Sequence, residues 1–276
     1  MTTTQIDVLL RRFHQHIRLI RLARGLLLGG TAVAVFWAAS LAQPESKRMI
    51  FMVFMGTLVI WVLAMVSAAR LARCVRTAAT LVSIGQLDDA EVWLRRVLEG
   101  FSLSARAKIL ACQQFASLLF RRDAHAQVVQ ICTELLKERL SGLQQIWVTT
   151  RVMLADSLLM LDRVPDAYDA IRPIYDVPLS LADRMKLLPV QLRYELAADH
   201  AAAAAQGLPD KLRIAELLDS ARAALVHALL AEACRRCNMP RQQAFLAERA
   251  RLYHDLDQLA ARYPVIAPIA RGDASG

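Results

Sequence analysis

With 276 residues, 56% of them apolar, and a mean hydropathy of +0.32, the chain is more apolar than a purely soluble protein usually is. Ten glycines and nine prolines leave long stretches without a breaker, which favours an all-helical chain, and five cysteines, an odd number, do not form a disulfide framework. The formal charge of +9 is spent beside apolar stretches: net +4 in residues 1–24, +1 in "QPESKR" (43–48), +3 from Arg70, Arg73 and Arg76, and only +1 over the remaining 200 residues. That distribution suits a membrane protein with reduced thiols in a cytosolic domain and leaves no basic stripe for nucleic acid.

Residues 1–24 contain "IDVLLRRFHQHIRLIRLAR", with Leu9, Phe13, Ile17 and Ile20 at helical spacing and arginines between them. Two readings stay open: a basic amphipathic helix lying on the anionic cytoplasmic leaflet, or a polar-faced extension of the span that follows. His14 and His16, two residues apart, point to different faces and make no metal pair.

Two spans come next. "GLLLGGTAVAVFWAASLA" (25–42) runs 18 residues without a charge and "MIFMVFMGTLVIWVLAMVSAA" (49–69) runs 21. At 1.5 Å per residue they extend about 27 and 31 Å, close to the hydrocarbon thickness of a bilayer. A pair of buried core helices is the plainer alternative, but soluble helices seldom run so far without a polar face. Flanking charge puts both chain ends in the cytoplasm and the short connector outside, a multi-pass hairpin in the cytoplasmic membrane. Gly25, Gly29, Ala34 and Ala38 form a small-residue pattern for close packing within the hairpin, or between two copies of the chain in a homo-oligomer. "SLA" before Gln43 resembles a signal-peptidase site and Arg11-Arg12 a twin-arginine signal; the length of the first span and the presence of a second argue against both.

Residues 71–264 read as helix after helix, with breaks near Gly85, 102–104, Arg122–Asp123, 141–142, Asp162–Pro165, Pro178–Ser180, Gly207–Pro209 and Asn238–Pro240. Ala78, Leu81 and Ala90 recur 34 residues later as Cys112, Phe115 and Ala124, and 43 further on as Ala155, Leu158 and Ala167, the longer interval being assigned to an insertion at "RLSGLQQ". In each copy two small residues twelve apart mark where paired helices approach closely.

On "AATLVSIGQLDDAEVWLRRVL", "LADSLLMLDRVPDAYDAIRPIYDVP" and, less clearly, "ACQQFASLLFRRDAHAQVVQICTELL", the chain resembles the tetratricopeptide repeat family over about residues 71–180. Ala78, Leu81, Gly85, Asp88, Asp89 and Ala90 match in the first copy; Ala155, Leu158, Ala167, Ile171 and Pro178 match in the third. The middle copy lacks the turn glycine, and beyond residue 180 the register is lost, although "SARAALVHALLAEACRRCN" and "PRQQAFLAERARLYHDL" look like a helix pair. The resemblance implies an α-solenoid whose concave side, lined by first helices, binds protein partners. Residues projecting there would be Ala79, Val82, Ser83, Arg106, Gln113, Ser117, Thr149, Asp156 and Met160, of which Arg106, Gln113, Ser117, Thr149, Asp156 and Met160 are the partner-groove candidates. They lack the Lys/Asn set with which chaperone-tail binders of the family clamp a carboxylate.

No phosphate loop, HExxH, nucleophile elbow or nucleotide fingerprint occurs, so no catalytic residue, cofactor or enzyme activity is expected. In "HALLAEACRRC", His227 and Cys234 share a helix face and Cys237 lies about 60° round. Small packing residues are the simpler account than a metal site, because a lone CxxC is a weak signal. "ADHAAAAAQGLP" (198–209) reads as a helix end running into a linker, and 265–276 as a disordered tail.

The expectation is therefore an all-α protein: a basic N-terminal segment (1–24), a two-helix transmembrane hairpin (25–69), and a cytoplasmic solenoid of tetratricopeptide-like repeats (71–264). It would act as a scaffold recruiting proteins of unknown identity to the membrane. The alternative is a subunit of a larger membrane assembly, in which the hairpin makes the main contacts.

Overall fold

A computed structural model describes residues 3–40, 44–100, 105–138, 140 and 142–272. It is all-helical, with no strand among the described residues, and forms two packed units, Met1–Glu138 and Arg139–Gly276.

The first unit opens with two long helices, α1 (Thr3–Ser40) and α2 (Pro44–Ser83), followed by α3 (Leu87–Glu99), α4 (Ala105–Arg121) and α5 (His125–Leu136). No break separates the basic segment from the first apolar stretch; α1 runs through residue 24, about 57 Å in all. Its first half buries Ile6, Leu9, Leu10, Phe13, Ile17 and Ile20. This stripe meets α3, α4 and α5. The apolar face, which one of the two readings would lay on the leaflet, is covered by protein, while Arg11, Arg12, Arg18 and Arg21 stay exposed. Amphipathicity announces that a face is covered, not what covers it. At the far end of α2, Val75, Ala78 and Val82 are buried where that helix packs on α3 and α4.

Between these buried ends the long helices carry apolar side chains that nothing covers. Leu26, Leu28 and Phe36 of α1 are each more than 70% exposed, and every residue from Leu58 to Leu63 of α2 is exposed. Within α2, Phe54–Ser83 is long and apolar enough to cross a membrane. Among the described residues, a Cβ added at Gly25, Gly29, Gly30 or Gly56 would meet nothing within 4 Å, so the expected close approach is not seen at the first two of these glycines, while Ala34 and Ala38 of the same pattern lie outside the described side chains. The connector (43–48) begins outside the described residues, which resume at Pro44 in α2, and side chains there are not described except that of Arg48.

The second unit contains α6 (Gln144–Met160), α7 (Val164–Ile171) with a 3-10 turn at Arg172–Ile174, α8 (Leu181–Ala197), α9 (Ala201–Ala205), α10 (Leu208–Ala215), α11 (Ser220–Arg236), α12 (Pro240–Tyr253), α13 (Leu256–Arg262), a second 3-10 turn at Pro264–Ile266, and α14 (Ala267–Arg271). Its centre is α11, in which every residue from Ala223 to Cys234 is buried. The alanines of "ARAALVHALLAEAC" let α8, α9, α10, α12 and the C-terminal helices all press on one axis. Two expectations give way here. Residues 198–209 hold a turn and α9, whose Ala201 and Ala204 are buried, instead of a linker. The chain is also ordered through Gly272, with Ile266 and Ile269 buried, although disorder was expected from 265 onward.

One local structure recurs through both units. Gly85, Asp123, Asp162, Asp199 and Asn238 all have left-handed backbones, with φ of +86°, +55°, +56°, +59° and +55°. They lie 38, 39, 37 and 39 residues apart. In each, the following N–H donates to the carbonyl five residues before it: Gln86 to Leu81, Ala124 to Leu119, Arg163 to Leu158, His200 to Glu195 and Met239 to Cys234, at 2.7–3.0 Å. This is the Schellman closure of a helix, and the next helix starts two residues after the left-handed one.

The turns set the repeat register. Ala78 corresponds to Ala116, Ala155, Leu192 and Ala231, all fully buried, and Ala90 to Val128, Ala167 and Ala204, also fully buried, and to the half-buried Gln243. The middle copy is therefore displaced by four residues from the sequence-based alignment through Cys112, Phe115 and Ala124. With that shift the supposed insertion at "RLSGLQQ" disappears.

Candidate functional site

The six groove candidates divide between the units. On α4, Arg106 is exposed, Gln113 is buried, and the Ser117 hydroxyl donates to the Gln113 carbonyl at 3.2 Å. On α6, Thr149, Asp156 and Met160 are brought together along the seam with α8 and engaged by its side chains. Lys186 Nζ donates to Thr149 Oγ1 at 3.0 Å, Arg193 pairs with Asp156, and Arg193 Nη2 lies 3.1 Å from Met160 Sδ. The Arg193 guanidinium also lies 4.7 Å from the Tyr263 ring centroid, a cation–π contact that ties the C-terminal segment to the same seam. Three of the six thus serve packing between neighbouring helices, and Arg106 keeps the most open position of the set.

His227 is fully buried, donates from Nδ1 to the Ala223 carbonyl at 2.7 Å, and has its ring 5.5 Å from that of Tyr253. Its pKa is lowered, chiefly by burial. Cys234 is buried, which raises its thiol pKa, and Cys237 is half-buried. Among the described residues no three His, Cys, Asp or Glu side chains come together as a metal would need.

The most polar constellation escaped the sequence reading. Arg11, His14, Arg18 and Arg21 follow one another at helical spacing on α1, beside the buried stripe. They face the end of α5 across a cleft of about 600 Å³. His14 sits between two carboxylates, Nδ1 at 2.8 Å from Glu138 Oε1 and Nε2 at 3.2 Å from Glu134 Oε2. Arg21 donates to the other Glu138 oxygen at 2.6 Å, and Lys137 to Glu134 at 2.7 Å. The Lys137 hydrogen bond is the main cause holding the Glu134 carboxyl below its usual range. Towards the N-terminus of α1, Gln130 donates to Asp7.

A second bridge joins α1 to α4. Lys108 is wholly buried, and its ammonium donates to the Leu98 and Gly100 carbonyls, each at 2.8 Å, and lies 3.0 Å from His16 Nδ1. Burial pulls its pKa down to about 8, and burial together with Lys108 lowers that of His16. These contacts span 92 to 124 positions of sequence. The one local signal for them was the stripe at 11, 14, 18 and 21.

Against known proteins the chain stands apart: no family model, no curated protein and no solved structure matches it.

Proposed function

We propose that this is a membrane-anchored scaffold: α1 and α2 form a transmembrane hairpin, and the remaining helices form a solenoid of tetratricopeptide-like hairpins that holds partner proteins at the cytoplasmic face. The observation that carries the reading is the five-fold recurrence of one Schellman-closed helix turn at intervals of 37–39 residues. A helical hairpin that recurs in this way buries one face only against its neighbours, the logic of a stacked repeat array. The interval exceeds the 34 residues of the tetratricopeptide family, so the likeness is one of plan. Confinement of a partner to the surface raises its effective concentration for other membrane components.

The anchor is supported by the uncovered apolar run on α2, since a helix exposed on every face from Leu58 to Leu63 has no stable place in water. Two crossings, not one, are supported by packing. Residues 6–20 of α1 share a core with α3, α4 and α5, and in the proposed topology this core and the helices after α2 lie on the same side of the bilayer. The flanking arginines favour the cytoplasm for that side.

A second reading, a subunit of a larger membrane complex, is favoured by the open space at Gly25, Gly29, Gly30 and Gly56. The two are told apart by photocrosslinkers placed at Arg106 and at Val59 of the full-length chain in intact cells. Adducts with soluble proteins from position 106 support the scaffold; adducts from position 59 alone support the subunit. Deleting residues 1–69 is unsuitable as a test, because it would strip Phe13 and Ile17 from the core of the first unit.

A further inference from the structure

The turn register also aligns the positions that would hold a partner. One residue after the aligned contacts Ala155, Leu192 and Ala231 stand Asp156 on α6, Arg193 on α8 and Glu232 on α11, equivalent positions on three successive first helices. Asp156 is one of the partner-groove candidates, and the register extends that assignment to the other two. Glu232 is engaged by Arg235 and Arg236 of its own helix, and Asp156 pairs with Arg193. One face of the Arg193 guanidinium is taken by Tyr263, whose ring centroid lies 4.7 Å away. The groove position of α8 is therefore occupied by the C-terminal segment of the chain itself.

That segment leaves the path of the repeats to get there. The first helices α6, α8 and α11 are 17 residues long and start at Gln144, Leu181 and Ser220, so another is due at about residue 258. α13 begins on time at Leu256 but stops after seven residues. Pro264 drives the residue before it out of helical geometry, and Tyr263 has φ −124° and ψ 82°. The chain then packs across α11 and reaches α8. The Ile266 N–H donates to the Tyr263 carbonyl at 3.1 Å in a 3-10 turn, and Tyr263, Ile266 and Ile269 follow at intervals of three. Ile266 and Ile269 are buried, whereas Arg262, Pro264 and Arg271 are exposed. A helix that only capped the array would stay on the last hairpin, α11 and α12; this segment reaches back one hairpin further. Helices of seven and five residues have little stability of their own, and a chain end opens more readily than a core.

We infer that the groove of the second unit takes a short partner segment with an aromatic residue and two branched aliphatics at positions i, i+3 and i+6, its ring stacked on Arg193, in competition with Tyr263, Ile266 and Ile269 of the chain itself. The inference rests on the scaffold reading and deepens it: the partner's chemistry is named, and the C-terminal segment becomes an internal competitor. Its tether gives that competitor an effective concentration of about a millimolar, so a partner displaces it only by matching all three contacts.

The test uses the full-length chain in mild detergent with a protease site inserted between His254 and Asp255, where α12 ends in extended backbone. After cutting, a labelled peptide of residues 255–272 is added in excess and its uptake is read by native mass spectrometry. The cut chain should exchange its own segment for the labelled one, while the uncut chain should take up about a hundredfold less. A competing peptide carrying Tyr263→Ala should block uptake on the order of tenfold less well than the unaltered peptide, the loss expected for one cation–π contact. A cut chain that keeps its own segment against the excess, loses it without taking up label, or unfolds on cutting would make the segment a fixed part of the core and overturn the inference. Equal competition by the two peptides would remove Arg193 from recognition and overturn it as well. Crosslinking from position 106 in intact cells separates this inference from its parent. Label exchange without soluble adducts defeats the scaffold and leaves the groove; adducts without exchange defeat the groove alone.

Discussion

At the scale of single residues, Lys108 is the group whose chemistry departs furthest from its surroundings. A fully buried ammonium donating to two carbonyls and facing His16 is a charged strut where an apolar side chain would ordinarily sit. Its folded-state pKa of about 8 lies below the ordinary value of 10.5, so between those limits the unfolded chain binds more protons than the folded one. Stability from this site therefore rises as pH climbs from about 8 towards 10.5, and below 8 the cost of burying the charge is fully present. The whole swing is at most about 3 kcal/mol. Replacing Lys108 by Met removes the titration, at the expense of two carbonyls left without a donor. Thermal unfolding of wild type and Lys108→Met in detergent from pH 7 to 10 should show the difference moving in favour of the wild type as pH rises. Parallel curves would mean that the amine is not carrying a displaced pKa.

At the scale of elements, the five hairpin turns explain which parts of the fold were legible. Gly85 announced its turn, because only glycine adopts a left-handed backbone without strain. Asp123, Asp162, Asp199 and Asn238 do the same work with residues that tolerate this conformation but also occur in many others. Asp199 accordingly went unread, and residues 198–209 looked like a linker. The repeat register slipped in the middle copy for a related reason. Without a glycine to fix the turn, the small-residue pattern matches equally well one helical turn away, and Cys112 and Ala116 are both fully buried on α4. The groove candidates inherited a different weakness. Periodicity marks Thr149, Asp156 and Met160 as one face of α6 but cannot say that Lys186 and Arg193 of α8 reach across to them. The corrected register makes its own forecast. Ala116→Leu, at a fully buried contact, should cost about 1–3 kcal/mol by overpacking, while Ala124→Leu, at the half-buried start of α5, should cost well under 1. Equal effects in chemical denaturation would restore the 34-residue alignment. The turn itself is tested at Asp162, where glycine should gain a few tenths of a kcal/mol and valine should lose about 1–2.

At the scale of the whole molecule, the informative fact is that the first half of α1 packs on helices that follow α2. The sequence predicted two crossings from the lengths of two charge-free stretches, and their orientation from flanking charge, a statistical argument about loops. Under the proposed membrane reading a mechanical argument joins it, because Asp7 meets Gln130 and His14 meets Glu134 and Glu138, partners that lie beyond both long helices in the chain. If α2 crosses the bilayer and α1 does not, those pairs would stand on opposite faces of the membrane and could not form. The two topologies are separated by cysteines at Asp7 and Gln130 joined with a short bismaleimide in intact membrane vesicles. The paired variant should give a cross-linked species with altered gel mobility that neither single variant gives, at a yield unaffected by solubilising the membrane. Cys112, Cys132 and Cys234 are buried, and the half-buried Cys74 and Cys237 are replaced by serine in the background used for the pair. A product that appears only after detergent is added would place the two sites on opposite sides and leave α2 as the sole crossing. The docked first half of α1 would then form only outside the bilayer, and the hairpin would have to be abandoned.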